Sequence, residues 1–262
     1  MPNILDTIAQ NTMIRVNKQK ERVTLEQIKN DAKKLSLLDH PFYKALEKEE
    51  ISFICECKQA SPSKGQIVDN FPYLEIAHAY EKAGASAISV LTEPMWFKGE
   101  LAYLKSIAQK VSIPCLRKDF TIDEYMIYEA RVYGASAVLL IVSILTDEQL
   151  RNYIHITESL GMDALVECHD EEEVIRAKSA GSKIIGVNNR NLKNFTVDST
   201  NCLRLREQVG KDCLFVAESG IKNHEDIEKL KQASVDAVLI GETMMLAEDK
   251  SKMLKELKYG QS

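Results

Sequence analysis

Tyr133-Gly134-Ala135-Ser136-Ala137-Val138-Leu139-Leu140-Ile141-Val142 reads as a junction: a helix stopped at a glycine, then a short apolar run. Glycine just past a helix suits a left-handed C-terminal stop. A run rich in Val, Leu and Ile suits a parallel strand buried on both faces. Similar junctions occur at Ala83-Gly84-Ala85-Ser86-Ala87, Ala180-Gly181-Ser182 and Ala233-Ser234-Val235-Asp236-Ala237. Their spacing of roughly fifty residues corresponds to two strand–helix units.

Working outward, eight such runs are found: Ile51–Cys57, Ser86–Leu91, Ile113–Arg117, Ala137–Val142, Ala164–Cys168, Lys183–Val187, Leu214–Ala217 and Ala237–Ile240. The segments between them carry helix signals. Thr121-x-x-Glu124 and Thr146-x-x-Gln149 are capping-box patterns, and Glu171-Glu172-Glu173 places negative charge in a first helical turn. Eight strand–helix units in about two hundred residues predict a closed (β/α)8 TIM barrel. An open doubly wound sheet is the alternative, but no GxGxxG follows the first run.

The first fifty residues read as helix. Ile4, Leu5, Ile8 and Ala9 fall at helical spacing, as do Leu25, Ile28, Ala32 and Leu35. Thr24-Leu25-Glu26-Gln27 is a capping box, and Pro41 reads as a helix stop. The expected organisation is one domain over residues 1–262, with 1–50 a helical extension and 51–262 the barrel.

The formal net charge of −5 argues against a general nucleic-acid binder, while leaving room for a local basic pocket. No apolar stretch reaches the length of a membrane span. Cys55, Cys57, Cys115, Cys168, Cys202 and Cys213 form no CxxC pair, so they read as reduced thiols of a cytoplasmic protein. No His cluster accompanies Cys55-x-Cys57, so a zinc site is not expected. Monomer is the default state.

The informative residues are the polar ones at the ends of the runs, because barrel enzymes place catalytic groups at the C-terminal ends of their strands. Glu56 and Lys58 share one face of the first run, as either a structural ion pair or a charged pair in a site. Lys118 closes the third run and is suited to anion binding or to general-acid work. Glu167 closes the fifth and is suited to general-base work. Asn188 and Arg190 follow the sixth; the planar fork of arginine suits carboxylate recognition. Ser219-Gly220 and Gly241-Glu242 follow the seventh and eighth, where such barrels often let backbone N–H groups approach a phosphate.

These residues closely resemble the indole-3-glycerol phosphate synthase family over nearly the whole chain, the helical extension included. The most specific match is Glu56-Cys57-Lys58-Gln59-Ala60-Ser61-Pro62-Ser63-Lys64-Gly65, similar to the family signature E-x-K-x-x-S-P-S-x-G. Lys118-Asp119-Phe120, Val166-Glu167, Asn188-Asn189-Arg190-Asn191-Leu192, Glu218-Ser219-Gly220 and Leu239-Ile240-Gly241-Glu242 match further blocks in order.

The resemblance implies conversion of 1-(2-carboxyphenylamino)-1-deoxyribulose 5-phosphate to indole-3-glycerol phosphate, CO2 and water. It implies Lys118 as the general acid of ring closure, Glu167 as its partner in dehydration, and Glu56 and Lys58 beside the reacting centre. By the same resemblance Asn188 and Arg190 hold the carboxylate and polar groups. Phe97, Phe120, Leu139, Ile141 and Leu192 wall the aromatic ring. Ser61, Ser219, Gly220, Gly241 and Glu242 bind phosphate, Glu242 through its backbone N–H. No cofactor and no metal is implied. One departure is Glu100 in Phe97-Lys98-Gly99-Glu100, where the family often has serine. Phosphoribosylanthranilate isomerase and the tryptophan synthase α subunit are the competing barrel readings, and both lack the Glu56–Gly65 signature. A non-catalytic phosphate binder is the competing reading outside enzymes.

Overall fold

The computed structural model describes residues 4–191 and 195–260. Eight strands carry it: β1 (Ser52–Cys57), β2 (Ala87–Leu91), β3 (Cys115–Lys118), β4 (Ala137–Ile141), β5 (Asp163–Cys168), β6 (Ile184–Asn188), β7 (Leu214–Glu218) and β8 (Ala237–Ile240). Each pairs in parallel with its neighbours in sequence, and β8 returns to β1 through Ser52↔Ala237 to Cys55↔Ile240, closing the barrel. A short antiparallel pair, Ala60–Ser61 with Gly65–Gln66, stands after β1.

The helices are α1 (Ile4–Arg22), α2 (Leu25–Lys33), α3 (Pro41–Leu46), α4 (Tyr73–Ala83), α5 (Leu101–Ala108), α6 (Glu124–Val132), α7 (Asp147–Ser159), α8 (Glu171–Ser179), α9 (Asn201–Val209), α10 (His224–Gln232), α11 (Glu242–Leu246) and α12 (Lys250–Tyr259). Capping boxes start α2 at Thr24 and α7 at Thr146, as the spacing predicts. The box expected at Thr121 does not form. Asp123, two residues later, caps α6 by accepting from Tyr125 N, and Thr121 is buried. The carboxylate is a better N-cap for a helix that starts at Glu124. Pro41 opens α3 instead of stopping a helix: at the first helical position its missing N–H costs nothing. The fourth repeat junction keeps its left-handed turn without glycine, with Ser234 at φ 56 where Gly134 has φ 89.

Strand alternation divides the core in two. Phe53, Cys55, Val138, Leu140, Val166, Ile185, Phe215 and Val238 face the helices. Ile54, Leu116, Leu139, Leu165, Ile184, Val216 and Leu239 fill the barrel interior. Phe42 and Leu46 of α3 join the interior cluster, each fully buried, a burial worth about 1.5–3 kcal/mol per side chain. Asp163, at the start of β5, holds α3 there. Its Oδ2 accepts from Phe42 N (3.1 Å) and Tyr43 N (2.9 Å), and His40 Nδ1 lies 2.9 Å from Oδ1.

At the opposite end α1 is tied to the strand ends. Arg15 pairs with Asp119 Oδ1 at 2.7 Å and donates to Thr92 O at 3.2 Å, and Lys20 pairs with Asp123 at 2.6 Å. Among the described residues no helix is long and apolar enough to cross a membrane.

Candidate active site

One further step along the inward-facing alternation lies a polar layer. Above Ile54 stands Glu56, above Leu116 Lys118, above Leu165 Glu167, above Gly186 Asn188, above Val216 Glu218 and above Leu239 Gly241. The third, sixth and seventh strands run one residue beyond their expected ends, so Lys118, Asn188 and Glu218 belong to the ladder itself. The third also starts later than expected, at Cys115, because Pro114 cannot donate to a ladder. Groups held by a barrel wall are placed more rigidly than groups on loops.

Lys118 Nζ lies 2.9 Å from Glu167 Oε2 and 2.9 Å from Glu218 Oε2. Burial would lower its pKa, but the two carboxylates overcome that and hold the ammonium well above the usual lysine range. Glu167 is almost fully buried, which alone would raise its pKa. Lys118 and His169 outweigh burial and hold it well below the usual carboxylate range. Glu218 goes the other way. Burial pushes it up to about 7, the charge of Glu167 adds to that, and Lys118 opposes it. Two carboxylates sharing one cation thus differ in proton affinity, a condition for dividing acid and base work.

Lys58 Nζ pairs with Glu56 Oε1 at 2.6 Å, and Ser89 Oγ donates to Glu56 Oε2 at 3.4 Å. Asn188 Nδ2 donates to Glu167 Oε1 at 3.1 Å, and Asn188 Oδ1 accepts from Arg190 N at 2.9 Å. Arg190 Nη1 donates to Phe195 O at 3.3 Å. The strand of Lys118 is braced from behind by Arg117, which reaches Asp119, Glu129 and Met126 O at 3.2, 2.9 and 2.8 Å.

These groups open into a cavity of about 820 Å³ over the C-terminal ends of the strands. At one side Phe97 and Phe120 face each other with ring centroids 6.0 Å apart, and Leu139, Ile141, Leu5 and Ile8 complete an apolar wall. Across from it stand Ser61, Lys64, Ser219, Gly220, Gly241 and Glu242. Ser219 (φ 68) and Gly220 (φ 81) turn the backbone sharply after β7. Gly241 leaves room for charge: a Cβ there would come within 2.5 Å of Glu56 Oε1 and 2.9 Å of Lys58 Nζ. The Glu242 carboxylate pairs with Lys64 at 3.1 Å.

The structure therefore brings every expected site residue to one cavity except Leu192, which lies outside the described residues. Glu218 was not among the expected site residues, although its signal was the same as that of Glu167: a carboxylate closing an apolar run. His169, with Nε2 3.4 Å from Glu167 Oε1, was also missed. Among the described residues no cluster of three or more His, Cys, Asp or Glu has the spacing to hold a metal ion.

The model of the indole-3-glycerol phosphate synthase family matches residues 5–257. The indole-3-glycerol phosphate synthase of Ruminiclostridium cellulolyticum is 54% identical over 256 residues, covering 97% of this chain and 98% of that protein. That of Lacticaseibacillus casei is 52% identical over 256 residues with the same coverage. Among solved structures, a 3-hexulose-6-phosphate synthase superposes with a TM-score of 0.66 at 15% identity, over 81% of this chain and 100% of that one. At that identity the likeness concerns the barrel fold alone.

Proposed function

The chain belongs to the indole-3-glycerol phosphate synthase family, and from that premise we propose how its cavity converts 1-(2-carboxyphenylamino)-1-deoxyribulose 5-phosphate to indole-3-glycerol phosphate. The observation that carries the reading is the Lys118 ammonium fixed between Glu167 and Glu218 in a cavity that also carries an apolar wall and a turn-rich rim.

The aromatic ring lies against Phe97, Phe120, Leu139 and Ile141. The phosphate lies at Ser61 and the backbone of Ser219, Gly220, Gly241 and Glu242. Lys64 neutralises the Glu242 carboxylate, which would otherwise repel it. Anchoring both ends folds the substrate so that its ring carbon meets its carbonyl, turning an improbable encounter into a positioned one. Arg190, steered by Asn188, holds the carboxylate.

The ring carbon is a weak nucleophile, so the carbonyl must be activated. Lys118 donates its proton to the carbonyl oxygen as the ring carbon bonds to the carbonyl carbon. The C–CO2 bond then breaks, its electrons restore the aromatic ring, and a hydroxyl is left on the new five-membered ring. That hydroxyl departs as water with a proton from an acid, while a base takes a proton from the adjacent carbon to complete the indole. Glu167 serves as one partner of this step, and Lys58, held by Glu56, lies beside the departing hydroxyl. These bond changes call for no metal and no redox cofactor.

We further take the protein to act as a monomer in the cytoplasm. Its exposed large apolar side chains are scattered over α1, α8, α11, α12 and loops, and its six cysteines are free. The direct test of function is appearance of indole fluorescence from that substrate with no cofactor added.

A further inference from the structure

We propose that His169 is a positioning residue for this reaction: wedged between Glu167 and Glu173, it sets a positive charge beside one oxygen of Glu167 and leaves the other to Lys118. The inference rests on the function proposed above.

His169 follows the end of β5 and does not line the cavity. Its Nδ1 lies at hydrogen-bond distance, 3.1 Å, from Glu173 Oε2, whereas its Nε2 makes no hydrogen bond among the described residues and stands 3.4 Å from Glu167 Oε1, within ion-pair range. The same Glu173 oxygen accepts from His169 N at 2.8 Å, which fixes the start of α8 against the strand end. Glu167 Oε1 also receives Asn188 Nδ2 at 3.1 Å, whereas Oε2 faces Lys118. The two oxygens thus have separate duties.

A neutral imidazole offers one donor and one acceptor, and its acceptor would meet the lone pairs of a carboxylate. With a carboxylate beside each ring nitrogen, the imidazolium is the form that both neighbours attract. Burial would lower the pKa of His169, but Glu167 and Glu173 push it up to about 10. The charged groups facing it are Glu167 from β5 and Glu173 from α8. Lys118 of β3 and Glu218 of β7 lie beyond Glu167. Neutral Asn188 of β6 contacts Glu167, and Asn201 of α9 donates to His169 O at 3.1 Å. The result is a line of alternating charge: Lys118, Glu167, His169, Glu173.

That line has a consequence for turnover. When Lys118 gives up its proton, Glu167 loses one cationic neighbour but keeps the imidazolium. Glu167 therefore stays a carboxylate, ready to take a proton in the dehydration step.

Two measurements test this. The first is a 15N NMR pH titration of the histidine rings in the parent protein, with His169 assigned from His169→Gln. The expected result is a His169 ring doubly protonated beyond pH 8; a neutral ring at pH 7 overturns the proposal. The second compares kcat and KM against pH for His169→Gln and Glu173→Gln. The expected result is a fall in kcat of about 10-fold with the acid limb moved up by about one pH unit, because Glu167 binds a proton more readily beside fewer cations. KM stays near that of the parent. A pH profile superimposable on the parent's, or a change in KM alone, overturns it. If His169→Gln does not fold, Glu173→Gln on the outer helix decides: its pH profile is read as above, and the one histidine ring whose titration it shifts most identifies His169 in the parent. The titration needs no turnover, so an inactive parent protein refutes the synthase reading, whereas a neutral ring refutes this proposal.

Discussion

Glu218 Oε2 stands 2.9 Å from the ammonium of Lys118, while Glu218 Oε1 is buried without a hydrogen-bond partner among the described residues. Gly186 makes this possible, since a Cβ there would come within 2.3 Å of that oxygen. A buried carboxylate left half-satisfied binds protons tightly, and Glu218 is pushed up to about 7 from an ordinary value of 4.5, by burial first.

The fold therefore holds the Glu218 proton more tightly than the unfolded chain does. Its contribution favours the folded state below about pH 4.5 and is lost as pH rises through about 7. Glu218→Gln cannot ionise, so it should gain stability relative to the parent between pH 5 and pH 8, on the order of a few kcal/mol. Urea unfolding across that range checks this. A stability difference independent of pH would remove Glu218 from the role of buried, perturbed acid.

Lys118→Ala should lower kcat by about 10²- to 10⁴-fold, the usual contribution of a positioned general acid, with a much smaller effect on substrate affinity. Single-turnover kinetics alongside equilibrium binding separate the two. Turnover near that of the parent would take Lys118 out of the acid role.

Arg190→Ala should weaken substrate binding by about 10- to 100-fold, as expected for loss of a charge-assisted hydrogen bond, with kcat less affected. Calorimetric titration with a non-reacting substrate analogue reads this directly. Unchanged affinity would mean the carboxylate is held elsewhere.

Arg15→Ala should loosen α1 over the cavity mouth. It removes a 2.7 Å pair to Asp119, whose side chain is fully buried. Burial would raise the pKa of Asp119, but Arg15 and Arg117 hold it at about 2. We expect a loss of about 2 kcal/mol, faster hydrogen exchange in α1, and a raised KM as Leu5 and Ile8 lose their place in the cavity wall. Unchanged exchange in α1 would show that its apolar contacts alone hold it.

Much of this architecture was legible because burial on both faces forces parallel strands into continuous apolar runs. A charged residue that closes such a run, such as Lys118 or Glu167, then stands out. What escaped depended on contacts between distant positions. Lys118 and Glu218 are 100 residues apart, and Arg15 and Asp119 are 104 apart. Nothing local says which distant group such a residue meets, even where, as at Glu218, a carboxylate visibly closes an apolar run. Local competition caused the other misses: Asp123 outcompetes Thr121 as a cap, and Pro41 fits a helix start as well as a stop.

The most direct test of the central claim is a fluorescence assay of the purified protein with 1-(2-carboxyphenylamino)-1-deoxyribulose 5-phosphate and no added cofactor, with and without chelator. Indole fluorescence that grows at the same rate in both is the predicted result. A folded protein that binds this substrate yet forms no indole would contradict the account.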